Sequence, residues 1–132
     1  MRLRSLTAAL LILSLLAAVL VPAVLSQDGC TETLDRDGTV SGEWAAGCTS
    51  QTTAPGEGDG TRYARFYTFT LDESSEVSIV LESSDADTYL YLREGQTKTG
   101  TAIHVNDDDG GTDRSRIQEI LSDGSYTIEA TT

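Results

Sequence analysis

The chain of 132 residues reads as an all-β protein, an antiparallel sandwich of about seven strands behind an N-terminal signal helix. Three observations predict this. Beyond residue 26, apolar residues recur with period two and hardly anywhere with the helical period. Clusters of Gly, Asp, Ser and Asn separate the alternating runs. The runs return roughly every ten residues, a spacing that suits two packed sheets of short strands.

The signal comes first in the chain. Arg2 and Arg4 precede an apolar run from Leu6 to Leu25, interrupted by Thr7, Ser14 and Pro22. Ser26 then offers a small residue before the polar Gln27-Asp28-Gly29. That is the layout of a secretory signal peptide over residues 1–26, leaving 27–132 as one domain, secreted or at the cell surface. The alternative is an uncleaved anchor, since about twenty apolar residues can span a bilayer. Pro22 favours the signal, because proline interrupts a spanning helix. Membrane contact is expected only through an uncleaved signal.

The first strand is expected at Thr39 to Trp44, after an Asp37-Gly38 turn, with Trp44 on the core. Thr49 to Gly60 is polar, Gly-rich and contains Pro55, so it reads as a loop. The clearest strand is Tyr63 to Leu71. Tyr67, Phe69 and Leu71 share one of its faces, and Phe66, Thr68 and Thr70 the other. Val77, Ile79 and Leu81 point inward from the next strand. Asp87 to Arg93 follows, with Leu90 and Leu92 opposite Tyr89 and Tyr91. Thr101 to Val105 carries Ile103 and Val105 on one face. The segment holding Ile117 and Ile120 has no determined type. Ser125 to Ala130 closes the set, with Tyr126, Ile128 and Ala130 inward.

All 21 acidic residues lie beyond the signal, against seven basic ones, so the mature net charge is about −14. Such a field repels nucleic acid and anionic lipid, and excludes both as partners. It also keeps an exported chain soluble. Arg62, Arg65, Arg93, Arg114 and Arg116, spread among many acids, read as members of surface ion pairs. Cys30 and Cys48 form an even pair in an exported chain and are expected to join in a disulfide.

The best site candidate is the acidic loop Asn106-Asp107-Asp108-Asp109-Gly110-Gly111-Thr112-Asp113, with Asp85 and Asp87 from the neighbouring turn. Calcium takes six to eight oxygens, which carboxylates, amides and carbonyls in a Gly-containing loop could supply. The EF-hand pattern does not fit: with Gly111 at its glycine position, Ile117 stands where the bidentate acid belongs. The competing reading is a solvated turn whose Asn and Asp side chains bond to their own backbone. Calcium is thus the one candidate cofactor. His104, between Ile103 and Val105, is expected to point outward as a plain surface histidine. Neither a Gly-x-Ser-x-Gly nor a His-Glu-x-x-His pattern is present, and no residue is singled out as catalytic. Tyr89 and Tyr91 are candidate ligand-binding residues, as rings able to stack on sugars or an extended peptide. The competing reading is that they are core or cover.

Taken together, Tyr63-Ala-Arg-Phe-Tyr-Thr-Phe-Thr-Leu71, Val77 to Leu81, Asp87-Thr-Tyr-Leu-Tyr-Leu-Arg93, Asn106-Asp-Asp108 and Gly124-Ser-Tyr-Thr-Ile-Glu-Ala130 resemble the bacterial pre-peptidase C-terminal domain. The resemblance covers roughly residues 37 to 130. It implies a jelly-roll-like β-sandwich, found beside secreted proteases, usually without catalysis, with some members binding collagen, polysaccharide or calcium. Members usually continue past the Gly-x-Tyr-x-Ile strand with a further strand. Here the sequence stops at Thr132, which implies a truncated domain or a strand supplied differently. The expected function is an accessory or adhesion module that binds an extracellular polysaccharide or protein matrix, or a partner domain. The alternative is a structural segment of a larger secreted protease or hydrolase precursor.

Overall fold

β-Branched and aromatic alternation dominates the chain, and in a computed structural model every regular element is a strand. The structure describes residues 29–52, 62–109 and 113–132. The expected signal helix lies outside them. Seven strands run in order: β1 (Thr31–Thr33), β2 (Ala64–Leu71), β3 (Ser75–Glu82), β4 (Tyr89–Glu94), β5 (Ala102–Asn106), β6 (Arg114–Leu121) and β7 (Gly124–Thr131). They form a five-stranded sheet, β1-β2-β7-β4-β5, and a two-stranded sheet, β3-β6. All pairs are antiparallel except β1 with β2, which is parallel.

The last strand in sequence is the middle strand in space. β7 pairs with β2 from Ala64↔Thr131 to Leu71↔Gly124, and on its other side with β4. One face of β7 gives Tyr126, Ile128 and Ala130 to the core between the sheets, together with Tyr67, Leu90, Leu92, Ile117 and Leu121. Val77, Ile79 and Leu81 of β3 pack against that core as their alternation predicts. Phe69 stacks on Tyr126 with ring centres 5.4 Å apart, an arrangement that adds modestly to area burial.

Three sequence expectations are corrected. Thr39 to Trp44 is not a strand; the first strand is Thr31–Thr33. Residues 31–33 take the free edge of β2, and the Leu34 amide extends the pairing to the Thr68 carbonyl at 2.8 Å. The chain then turns, with the Gly38 amide on the Asp35 carbonyl at 3.0 Å and Asp37 left-handed at φ 59°. Only Trp44 from the expected strand reaches the core.

The second correction concerns β5. A register shift opposite Leu92 and Arg93 aligns His104 with Leu92 and Val105 with Tyr91. Ile103 packs on the core, but Val105 is exposed. His104 turns toward the small sheet rather than outward, its Nδ1 3.4 Å from Glu119 of β6. A bulge inserts one residue and so reverses the phase of the alternation. The third correction concerns Arg93, which is buried rather than on the surface.

The undetermined segment is settled as well. Ile117 and Ile120 lie on β6, and a separation of three places them on opposite faces. Ile117 is buried and Ile120 is 75% exposed.

The Cys30–Cys48 disulfide is present, across a sequence separation of 18. Both half-cystines are buried with Ala64 and Phe66 in a second apolar cluster on the outer face of the large sheet. Among the described residues no helix is long and apolar enough to cross a membrane. A disulfide is consistent with an oxidising extracellular space.

Candidate functional site

The two acidic loops adjoin one another. The Ser83 amide donates to the Asp113 carbonyl at 3.1 Å. Ser115 Oγ lies 2.6 Å from the Thr88 carbonyl and 3.0 Å from that of Asp107. The chain therefore brings the segment from Ser83 to Thr88, which holds Asp85 and Asp87, beside Asp107 and Asp113.

Three of their side chains engage protein partners. Asn106 Oδ1 accepts the Arg116 amide at 3.0 Å. Asp109 Oδ2 lies 3.4 Å from Arg114 Nε and 3.2 Å from Arg116 Nε. Asp85 Oδ1 accepts from Ser84 Oγ at 3.1 Å. Asp87, Asp107, Asp108 and Asp113 are exposed. No three carboxylate, histidine or cysteine groups converge on one point among the described residues, which exclude loop residues 110–112. A calcium cage needs six or more oxygens around one centre, drawn from carbonyls and amides as well as carboxylates.

Of the two readings of the tyrosines, an exposed platform or core and cover, their burial fits the second. Tyr91 is buried, and burial holds its hydroxyl above the ordinary value. Tyr89 is half-buried, with the Arg62 guanidinium 4.4 Å over its ring. Both lie on the outer face of the large sheet, which is covered rather than open. The Ala64 amide binds the Cys48 carbonyl at 2.8 Å and the Ser50 amide the Arg62 carbonyl at 2.9 Å, fixing residues 48–52 at this edge of the sheet.

Beneath that cover is a polar cluster the sequence did not reveal. Glu129 is fully buried. Its Oε1 accepts from Ser50 Oγ at 2.5 Å and from the Gln51 amide at 2.9 Å. Its Oε2 accepts from Arg93 Nε at 2.8 Å, and Arg93 Nη1 donates onward to the Gly100 carbonyl at 2.8 Å. Thr127 and Thr131, also buried on this face, donate to the carbonyls of Gly95 and Tyr63 at 2.6 and 2.7 Å. Buried polar groups persist when paired in this way. The cluster holds the sheet and its cover together.

The open feature lies on the other side of the sheet. β6 packs over β4 and β5, so the small sheet sits toward the β5 edge of the large one. The inner face of β2 and β7 carries the buried side chains of Tyr67, Ile128 and Ala130. A cleft of about 640 Å³ opens there, within the range of about 300–1,000 Å³ usual for ligand sites. Its floor is Tyr67, Leu90, Ile128 and Ala130. One wall is the segment from Leu34 through Gly38–Gly42 to Trp44. The other is the consecutive run Ser78 to Ser83 along β3. A consecutive run presents main chain as well as side chains. Among the described residues β3 has a partner strand on one side only, and alternate residues of an edge strand direct their N–H and C=O away from the sheet. Sequence patterning locates these strands but not their order in space, and the cleft is a product of that order.

Comparison with known proteins adds no assignment: no family model, no curated protein and no solved structure matches this chain.

Proposed function

We propose that this protein is an exported binding module of the pre-peptidase C-terminal type, which engages an extracellular polymer or a partner protein through the cleft between its sheets. The carrying observation is the cleft itself. Its floor is apolar, its rim is polar, and Trp44 stands at one wall. A rigid scaffold with an apolar concavity and a few placed polar groups is the usual form of a binding site. The disulfide beside β1 and the apolar run before residue 27 support an extracellular setting. A strongly negative chain keeps soluble at a surface while disfavouring nucleic acid and anionic lipid.

The test is retention of the mature chain by insoluble chitin, cellulose and collagen, with Trp44→Ala compared against wild type. Retention on at least one matrix is expected, weakened about tenfold by Trp44→Ala, equivalent to about 1.4 kcal/mol. Thermal melts establish that the variant is folded. Tyr89→Ala, on the covered face, serves as the control and is expected to bind as wild type. Absence of retention on all three, together with no binding to any secreted protein fraction, removes the reading.

A further inference from the structure

We propose that the corner of the small sheet at Leu81–Ser83 is a flap, which swings on β6 and lifts off the floor of the cleft. The device belongs to the fold and holds whatever the cleft binds.

The small sheet is fastened along one strand and at one end. β6 is the fastened strand. Ser115 Oγ bonds the Thr88 and Asp107 carbonyls, the Arg116 amide bonds Asn106 Oδ1, and Glu119 lies 3.4 Å from His104 Nδ1. Those partners lie on β5 or directly beside β4 and β5. The fastened end is that of the short turns. Residues 72–74 join β2 to β3, and residues 122–123 join β6 to β7. Leu71 faces Gly124 in one sheet and Ser75 faces Leu121 in the other. Tyr126 Oη donates to the Ser122 carbonyl at this end, at 2.9 Å.

β3 has no such attachment. Ser75 Oγ donates to the Glu73 carbonyl at 3.1 Å, Glu76 accepts from Gln118 Nε2 at 2.9 Å, and Glu82 lies 3.2 Å from Arg114 Nε. Among the described residues none of these side chains bonds to the large sheet. Packing shows the same asymmetry. On the inward face of the small sheet, Ile117 and Leu121 of β6 are 4% and 5% exposed, whereas Val77, Ile79 and Leu81 of β3 are only half-buried. The cleft opens away from the short turns. It borders β3 from Ser78 to Glu82, but not from Ser75 to Val77. The Ser83 amide bonds the Asp113 carbonyl beside β6, so the corner moves with its own sheet. Beyond it, residues 83–88 lead to buried Thr88 and on to β4. A connection that can extend by about 3.3 Å per residue leaves slack for the corner to rise.

Local opening takes the part with the least apolar burial and the fewest bonds. Raising the corner bares Leu90 and Ile128, which are buried in the closed form. A bulky apolar group then finds a deeper seat than the closed cleft holds, and its affinity is reduced by the fraction of chains that stay closed.

The experiment compares Ile128→Cys, under the flap, with Ile117→Cys, on the fastened strand. Both isoleucines are 4% exposed, so the closed form protects them equally. Each variant, with its disulfide intact, is treated with iodoacetamide, and urea unfolding gives its stability. Ile128→Cys is expected to be alkylated at least about tenfold faster than Ile117→Cys once the rates are set against stability. Low urea should leave the first rate nearly unchanged and speed the second, because only the second requires global unfolding. Equal rates with equal urea dependence overturn the flap. Where a variant does not fold, methyl relaxation dispersion on the unaltered chain decides. Exchange at Ile79, Leu81, Leu90 and Ile128 but not at Ile117 or Leu121 supports the flap. Exchange spread evenly over β3 and β6, or absent from β3, overturns it.

Discussion

The guanidinium of Arg93 on β4 meets the carboxylate of Glu129 on β7, with Nε 2.8 Å and Nη2 2.5 Å from the same oxygen. The two side chains are 8% and 0% exposed. Desolvating both charges is costly, and removing one partner strands the other in the interior. Glu129→Ala is expected to destabilise the fold by about 3–5 kcal/mol, and Arg93→Ala by a similar amount. The double variant should lose much less than the sum, because neither leaves an unpaired charge. Urea unfolding of the four proteins checks this. Additive losses mean that the pair acts as two independent surface groups.

Cys30 and Cys48 enclose 17 residues between them and anchor β1 to the segment covering the outer face. Loop-closure entropy assigns such a bridge roughly 3 kcal/mol. Replacing both by serine is expected to lower the unfolding free energy by that much, read from urea denaturation. The loss should localise: faster amide exchange at Gln51, whose N–H caps Glu129 at 2.9 Å, with slow exchange preserved in β3 and β6. Uniform acceleration across both sheets shows instead that the bridge acts only on the unfolded chain.

The fold was legible where one face of a strand is buried and the other is not. β3 is the clear case: Val77, Ile79 and Leu81 pack on the core, while Glu76, Ser78 and Val80 are exposed. The reading failed where a second layer intervenes. Thr127, Glu129 and Thr131 alternate with apolar neighbours and so look solvent-facing, yet all three are buried, Glu129 beneath residues 50–52. Periodicity reports which residues share a face, not what later covers it. Thr39 to Trp44 failed for another reason. Its alternation is real, but Thr31–Thr33 holds the edge of β2, and a segment without a partner strand stays irregular. The engagement of Asp109 by Arg114 and Arg116 depends on β6, whose strand character two isoleucines three apart could not show.

Tyr91 makes the stability pH-dependent at the alkaline end. Burial raises its pKa above 10.0, Glu129 and Tyr89 push the same way, and Arg62 and Arg93 oppose them. The folded chain therefore keeps the phenolic proton where the unfolded chain has lost it. Stability from this group is complete below about pH 10, the unfolded value, and declines as pH rises through the raised folded value. Tyr91→Phe cannot ionise and should show a shallower decline above pH 10 than wild type, while the two keep a constant difference below it. Urea midpoints across that range test the sign. Parallel curves throughout mean that Tyr91 ionises alike in both states.

The acidic loops invite a cation, but two of their described donors, Asn106 and Asp109, already have protein partners. Asn106 Oδ1 holds the Arg116 amide, and Asp109 lies between the guanidinium groups of Arg114 and Arg116. A cation bound there would have to displace arginines that already supply positive charge. Calcium and magnesium at equal ionic strength are therefore expected to raise the melting temperature equally, by screening a strongly negative chain. Asp109→Asn weakens half-exposed pairs and should cost up to about 1 kcal/mol with either ion. A rise specific to calcium, lost on chelation and in Asp107→Asn with Asp108→Asn, reverses this conclusion. It would mean that a cage forms around those two exposed carboxylates, because calcium accepts the irregular oxygen set that magnesium refuses.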